Sequence, residues 1–141
     1  MRVLVDTNVI LDFLQEREPF VDNAARLFER IDAGELEGFI ATTTITNIYY
    51  IVRRAAGRVV AQDAIAQVLS DLNICAVDQE VLERSLALSF EDFEDAVQYA
   101  CAVVHNIDVI VTRDVSGFVN AKIPVVLPEA LDTVSGHESG D

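Results

Sequence analysis

The chain has 141 residues, of which 51% are hydrophobic and 24% are charged, and this is enough for a single domain with its own core. It has no apolar stretch long enough to span a membrane and no signal-peptide pattern at the N-terminus, so we expect a cytoplasmic protein with no membrane partner. Taken alone, the net charge of −14 argues against a surface that binds nucleic acid and fits clustered carboxylates that bind a cation or a basic partner. Cys75 and Cys101 lack metal-ligand spacing and are predicted to be core thiols, as in a reducing compartment.

Strands and helices are predicted to alternate along the chain. Val3 to Val5 is short and β-branched, which favours a buried strand, and the apolar residues from Val9 to Leu14 recur at helical spacing. A second helix opens at Pro19 and ends at Gly34. The later elements are predicted as strands at 38–42, 74–77, 109–111 and 125–127, and as helices from Thr43 or Thr44 to about Gly57, at about 61–72, at 81–88 and at 93–104.

This alternation indicates an α/β domain in which helices cover both faces of a central parallel sheet. The domain is predicted to span residues 1–128. Residues 129–141 are polar, and we expect them to form a disordered C-terminal tail.

Two acids follow predicted strands at the point where each strand ends. Asp6 comes directly after Val3 to Val5, and Asp114 closes the segment "VIVTRD". The carboxyl ends of parallel strands meet at one edge of a sheet, so we expect both carboxylates there. Asp95 lies one turn into an otherwise apolar helix, close to its core face. Three acids at one edge repel one another unless a cation lies between them, and Mg²⁺ or Mn²⁺ prefers carboxylate oxygens.

Each acid also has a structural interpretation that needs no metal. Asp6 can cap the first helix, and Asp95 can be the acid of a capping box. Asp114 can be a turn residue before Gly117. The acids around Asp95 are expected to form a solvated helix start: Glu91, Asp92 and Glu94. The joint pattern is much harder to produce by accident than any single acid, which favours a metal centre.

Three segments together resemble the PIN domain family: "VLVDTNVILDFL" at the start, "EDAVQYACA" in the second half and "IVTRD" shortly after it. Their order, spacing and flanking residues match over essentially the whole ordered chain. The resemblance implies a Rossmann-like parallel sheet and a ribonuclease centre that depends on Mg²⁺ or Mn²⁺. Many small single-domain members are VapC-type toxins of toxin–antitoxin pairs, usually dimeric and blocked by a cognate antitoxin. The resemblance therefore also implies an RNA substrate, a homodimer and an antitoxin partner.

The resemblance assigns roles to individual residues. It makes three acids the catalytic metal ligands: Asp6, Asp95 and Asp114. It makes neighbouring polar side chains their supports through hydrogen bonds: Thr7, Asn8 and Thr112. Two positions depart from the family pattern. Where the family usually has a Glu on the helix after the second strand, this chain has Asn47, either a supporting amide or an ordinary polar residue of its helix. Where some relatives have a further acid, this chain has Gly117.

Three arginines are candidate RNA contacts. Arg54 and Arg58 lie seven and eleven residues after Asn47, which places them on one face if a single helix carries all three. The same two arginines can equally be ordinary helix-end charge. Arg113, beside Asp114, is the third candidate. The reaction that the resemblance implies is an in-line attack that leaves a 5′-phosphate at the cut, and it needs no histidine.

Other protein classes fit parts of the pattern. A phosphoacceptor receiver domain normally has paired acids after its first strand and a late lysine at a strand end, whereas this chain has one acid there and Lys122 lacks that setting. Haloacid-dehalogenase phosphatases need a second Asp two positions after the first, where Asn8 stands. The main alternative is a non-catalytic PIN-like module that binds RNA or protein, because Asn47 and Gly117 reduce the charge of the centre.

Overall fold

The structure, a computed structural model, describes residues 1–118 and 120–131 of the chain. Within these residues five strands form one parallel sheet: Arg2–Val5 (β1), Glu37–Ala41 (β2), Asn73–Cys75 (β3), Val109–Val111 (β4) and Val125–Val126 (β5). The helices are Thr7–Leu14 (α1), Val21–Asp32 (α2), Thr42–Ala56 (α3), Arg58–Asp71 (α4), Gln79–Leu86 (α5) and Phe93–Val104 (α6), with short 3-10 helices at Val115–Phe118 and Pro128–Ala130. None of these helices has the length and apolar composition that a membrane span needs.

The two faces of the sheet bury different core clusters, because successive residues of a strand point to opposite faces. The strand order is β3-β2-β1-β4-β5, so β1 is central. On one face Val3 and Val5 pack with helices α1 to α4 through residues such as Ile48. On the other face Leu4 packs with α5 and α6 through residues such as Val97. Helices therefore cover both faces of a parallel sheet, and the predicted fold class is confirmed.

The register of the sheet brings the carboxyl ends of β1 and β4 level with each other. Val5 of β1 pairs with Val111 of β4. The backbone N–H of Asp6 donates a hydrogen bond of 3.0 Å to the carbonyl oxygen of Val111. The next residues along the two strands, Asp6 and Thr112, therefore lie side by side at the carboxyl edge of the sheet.

The start of α3 differs from the sequence prediction. The helix begins at Thr42, and its N-cap residue Ala41 makes no side-chain capping bond, so the predicted cap at Thr43 or Thr44 is wrong. The hydroxyl of Thr42 accepts a hydrogen bond of 3.2 Å from the backbone N–H of Val77 instead. A long-range contact to the segment after β3 therefore fixes the start of this helix.

Two further boundaries have local causes. Gly57 has a φ of +91°, which a glycine adopts without strain, and this reversal lets α4 begin at Arg58, earlier than predicted. At the other end of the chain, Leu131 is 1% exposed and belongs to the core. Packing therefore continues past Pro128, the expected end of the domain, and the predicted tail from 132 onward lies outside the described residues.

Cys75 and Cys101 are free thiols that are fully buried, as predicted for core thiols. Their Sγ atoms lie 2.9 Å apart. The hydrogen bond between the two thiols, together with burial, raises the pKa of Cys101 well above its ordinary value. Because a raised pKa disfavours the thiolate, we assign this pair a packing role between β3 and α6.

Candidate metal centre

Asp6 lies between β1 and α1, where it is 5% exposed. Its Oδ1 accepts hydrogen bonds from the backbone N–H of Thr7 and from Gln98 Nε2, both at 2.7 Å. Its Oδ2 accepts one from Thr112 Oγ1 at 2.7 Å and a longer one from Asn8 Nδ2 at 3.5 Å. Asp6 thus caps α1, as its structural interpretation predicted. In addition, donors from α1, α6 and the segment after β4 fix its orientation, which is what a preorganised metal ligand needs.

Asp95 lies in the first turn of α6 and is partly buried. Its pKa is raised to about 7, first by burial and then by the negative charges of its neighbours Asp6, Asp92, Asp114 and Glu94. The three predicted ligands therefore lie within electrostatic reach of one another. A cation placed among them would offset this repulsion and favour the ionised form of Asp95.

Asp114 follows β4 and is exposed. Its backbone N–H donates to Thr112 Oγ1 at 3.0 Å, and its Oδ1 accepts a hydrogen bond of 3.0 Å from Ser116 Oγ. The backbone N–H of Gly117 donates to the Asp114 carbonyl oxygen at 3.2 Å, so the turn expected here is present. The turn and the proposed metal role are compatible, because the turn uses the backbone and leaves one carboxylate oxygen of Asp114 without a hydrogen bond from Ser116.

Gly117 leaves room for two of the carboxylates. A Cβ at this position would lie 2.7 Å from Asp95 Oδ2 and 3.0 Å from Asp114 Oδ2. Both oxygens therefore approach the same point, which a side chain at 117 would fill. The missing acid at Gly117 thus has a physical explanation, because any side chain there would displace the two acids already present.

We expect Gly117→Ala to weaken Mn²⁺ binding about tenfold, because the added Cβ must move the carboxylates of Asp95 and Asp114. Titration calorimetry on the metal-free protein measures the affinity. The melting temperature serves as the control for folding. An unchanged Mn²⁺ affinity in a folded variant would mean that these two carboxylates do not share a cation.

Glu94 lies close to the three acids, at a place that differs from the sequence prediction. It was expected in a solvated helix start, and this is wrong, because the side chain is partly buried. Its Oε1 accepts a hydrogen bond of 3.1 Å from Thr7 Oγ1, and its Oε2 accepts one from Asn47 Nδ2. Thr7 and Asn47 therefore support an acid, but that acid is Glu94. Its position depends on how α6 packs against α1 and α3, which no local sequence pattern reveals.

Gln98 is a second residue of the centre that sequence reasoning missed. It is fully buried one turn after Asp95, and it donates to Asp6. Its Oε1 has no hydrogen-bond partner among the residues that the structure describes. The one available signal was its spacing, because residues three apart on a helix share a face.

Arg113 has its guanidinium engaged within the protein. Its Nε and one terminal nitrogen donate to the two carboxylate oxygens of Asp12 at 2.6 and 3.2 Å. Asp12 is 1% exposed, and a second arginine, Arg17, lies 4.0 Å from it. The guanidinium carbon of Arg113 also lies 3.8 Å from the centre of the Phe20 ring. These contacts favour a structural role for Arg113 over the predicted RNA contact.

Arg54 and Arg58 do not form one stripe. Arg54 is an exposed residue of α3, whereas Arg58 is the first residue of α4, beyond the reversal at Gly57. The expectation that both lie on the helix that carries Asn47 is therefore wrong for Arg58. Arg54 lies on the same helix as Asn47 and remains a candidate RNA contact.

The donor set fits a hard divalent cation. Carboxylate oxygens converge near Gly117, and the unpaired amide oxygen of Gln98 belongs to the same buried network as Asp6. Within the described part of the chain, ligand atoms of three residues come within 4.8 Å of one another at a different place: Cys75, Cys101 and His105. The carboxylate oxygens of the acids are thus spaced more widely than the ligand atoms of a metal site formed by protein side chains alone. Mg²⁺ and Mn²⁺ retain waters, which suits widely spaced carboxylates, whereas cysteine thiols are poor ligands for these hard cations.

A cleft of about 370 Å³ opens beside the acids. It is lined by Ser89, Phe90, Glu91, Asp92, Asp95, Asp114, Ser116 and Gly117. A second pocket, of about 530 Å³, shares Ser89 and Phe90 with this cleft and adds Tyr99 and Lys122 to its lining. Two of the three predicted ligands, Asp95 and Asp114, are therefore accessible to a substrate from this cleft. The second pocket adjoins the cleft at Phe90 and extends to Lys122.

Comparisons with known proteins agree with this geometry. A family model described as PIN domain matches residues 2–116. Ribonuclease VapC1 of Aquifex aeolicus (strain VF5) is 26% identical over 133 residues, which are 91% of this chain and 91% of that protein. A toxin–antitoxin complex from Klebsiella pneumoniae contains a chain with a TM-score of 0.67 and 24% identity, over 89% of this chain and 97% of that one. VapC20 of Mycobacterium tuberculosis, a sarcin-ricin loop cleaving toxin, gives a TM-score of 0.63 at 18% identity, over 77% and 86% of the two chains.

Proposed function

This chain belongs to the PIN domain family, and we propose that it is a ribonuclease that cleaves single-stranded RNA with the help of Mg²⁺ or Mn²⁺. The observation that carries the proposal is the convergence of Asp6, Asp95 and Asp114, from three separate elements, at the carboxyl edge of the sheet. Carboxylates that repel one another destabilise the folded protein, and such clusters beside an open cleft are typical of functional sites. A bound cation would offset the repulsion and take part in catalysis.

The proposed mechanism divides the work among these residues. Asp6, Asp95 and Asp114 would hold the cation, which supplies a Lewis acid that activates a water and stabilises charge on the scissile phosphate. Gln98 and Thr112 hold Asp6 in one orientation, so that its position is set before substrate arrives. The backbone turn at Gly117 holds Asp114 close to Asp95.

The second pocket supports a single-stranded substrate. Phe90 lines this pocket together with Lys122, and its ring packs against Tyr99, which is 8% exposed, with ring centres 5.4 Å apart. Unpaired bases stack on aromatic rings, and a lysine can contact the phosphate chain, whereas a duplex hides its bases. Nucleotides next to the scissile phosphate would occupy this pocket, and Arg54 is a further candidate contact on α3.

A toxin of a toxin–antitoxin pair is the biological role that we propose. The support is the similarity to the chain in the Klebsiella pneumoniae toxin–antitoxin complex and to the Aquifex aeolicus ribonuclease. A cognate antitoxin would need an arginine-bearing segment, since a guanidinium pairs with carboxylates in a bidentate manner and the chain carries a net charge of −14. We also propose a homodimer that buries exposed apolar side chains of α3 and α4: Tyr50, Val59, Val60 and Leu69. Sedimentation that detects only monomer at micromolar concentration would overturn the dimer.

The chemistry of the products tests the proposed activity. A water nucleophile should leave a 5′-phosphate on the downstream fragment of a labelled single-stranded RNA. Attack by the 2′-hydroxyl of the RNA would leave a 2′,3′-cyclic phosphate instead, and that product would contradict the proposal. The non-catalytic alternative predicts binding without either product.

A further inference from the structure

Glu94 links the three helices that surround the acidic centre. It belongs to the first turn of α6, and its two carboxylate oxygens accept hydrogen bonds from Thr7 at the start of α1 and from Asn47 of α3. Thr7 is the residue next to Asp6, and Asp95 is the residue next to Glu94. Both oxygens of the Glu94 carboxylate are therefore oriented by neighbouring side chains, and one of these side chains belongs to the residue that follows Asp6.

The charge of Glu94 lies close to that of Asp6. Thr7 donates its hydroxyl to Glu94 Oε1 at 3.1 Å and its backbone N–H to Asp6 Oδ1 at 2.7 Å, so a single residue bridges the two carboxylates. A cation bound by Asp6 is therefore attracted by Glu94 as well.

We propose that Glu94 is a fourth carboxylate of the metal centre and that Asn47 positions it. The proposal rests on the proposed function, because it concerns the same cation. In this arrangement α3 supplies the amide donor, Asn47, and α6 supplies the negative charge, Glu94. Asn47 acts through Glu94 and is a positioning residue.

The arrangement makes an exchange possible. An amide on α3 and a carboxylate on α6 are joined by one hydrogen bond, so swapping the two groups keeps the bond and the total charge. In the double variant Asn47→Glu/Glu94→Gln, the amide of residue 94 donates to the carboxylate of residue 47. The negative charge stays at the centre but comes from a different helix.

Mn²⁺ titration of the metal-free full-length protein by calorimetry tests the proposal. Glu94→Gln should lower the Mn²⁺ affinity about tenfold, while its metal-free melting temperature stays equal or rises because repulsion from Asp6 is removed. The exchange variant should recover an affinity within about threefold of the native protein. The matched control is Glu29→Gln, which removes the same charge from an exposed position on α2 and should change the affinity less than about twofold.

A purely structural role for Glu94 predicts a different result. Glu94→Gln would then lower the melting temperature and leave the Mn²⁺ affinity equal to that of Glu29→Gln, which overturns the proposal. If Glu94→Gln does not fold, the exchange variant decides alone, and a weak Mn²⁺ affinity in that variant overturns the proposal. Native protein that cleaves RNA with Mn²⁺ while Glu94→Gln binds Mn²⁺ normally refutes this inference only. Native protein that neither binds Mn²⁺ nor cleaves RNA refutes the proposed function as well.

Discussion

Asp95→Asn is expected to reduce RNA cleavage by about 100-fold or more and to raise the melting temperature of the metal-free protein at pH 8. Loss of a proposed metal ligand should cost at least as much activity as the loss of a supporting side chain, which is typically 10- to 100-fold. The gain in stability has a separate cause. At pH 8 the native protein carries an ionised Asp95 beside other acids, and the amide removes this repulsion.

The pH dependence of stability gives the sign of this effect. Because the pKa of Asp95 is about 7 in the folded protein and about 4 in an unfolded chain, the folded state retains a proton that the unfolded state has released between these values. The free energy of unfolding therefore falls as pH rises from about 4 to about 7 and stays low above it. Asp95 is partly exposed, so screening reduces the effect to about 1 kcal/mol, or about 3 °C.

Melting curves of the metal-free protein at pH 5 and pH 8 measure this effect. Asp95→Asn should reduce the difference between the two pH values without removing it, because burial and the charge of Asp32 also raise the pKa of Asp71. A lower melting temperature of Asp95→Asn than of the native protein at pH 8 would contradict this prediction. It would show that the contacts of Asp95 stabilise the fold by more than its charge destabilises it.

Asp6→Asn is expected to behave differently although it also removes one charge. The Asp6 carboxylate accepts hydrogen bonds on both oxygens, from Gln98 and Thr112 among others. An asparagine would replace one of these oxygens by an NH₂ group, which cannot accept a hydrogen bond. The donors that face this oxygen in the native protein would lose their partner. We therefore expect loss of activity together with loss of stability, although the sequence alone, which shows the repulsion but not the donors, predicts a preserved or higher melting temperature.

Arg113→Ala is expected to destabilise the protein by about 3 kcal/mol, which lowers the melting temperature by about 10 °C. Asp12 is 1% exposed and takes both of its close hydrogen bonds from Arg113. Without Arg113, the cationic partner that the buried carboxylate keeps among the described residues is the distant Arg17, at 4.0 Å. An uncompensated buried charge is among the most costly defects that a single substitution can produce.

Arg54→Ala is the matched control for this prediction. It removes the same side chain from an exposed position on α3 and should change the melting temperature by no more than about 2 °C. If Arg54 contacts RNA, the control raises KM and leaves kcat near its native value. An unchanged melting temperature of Arg113→Ala, combined with weaker RNA binding, would return Arg113 to the role that the sequence predicted.

The sheet and the positions of two acids were predictable because they follow from periodicity and topology. β-branched runs such as Val109–Val111 are buried strands, and in a parallel sheet their carboxyl ends must meet at one edge. Asp6 and Asp114 therefore had to lie at that edge once the strands were correct. Helix boundaries were less certain, since the start of α3 depends on a hydrogen bond between Thr42 and Val77, distant in the chain.

The remainder of the site depends on how helices pack against one another. Whether Glu94 points to solvent or to Asn47 is decided by the placement of α6 against α3, which the residues around Glu94 in the sequence do not specify. The pairing of Asp12 with Arg113 likewise joins positions about 100 residues apart. A lone acid inside the apolar run "VILDFL" was the available signal, because a buried acid needs a partner.

Cleavage of an end-labelled single-stranded RNA, measured against added Mn²⁺, tests most directly whether the acidic centre is a metal-dependent nuclease site. Native protein and Asp95→Asn, purified in parallel by the same steps, share any contaminating nuclease. The native protein should be inactive in excess chelator and regain cleavage when Mn²⁺ exceeds the chelator, while Asp95→Asn stays inactive throughout. Equal cleavage by the two proteins, or undiminished cleavage by the native protein in chelator, would contradict the account.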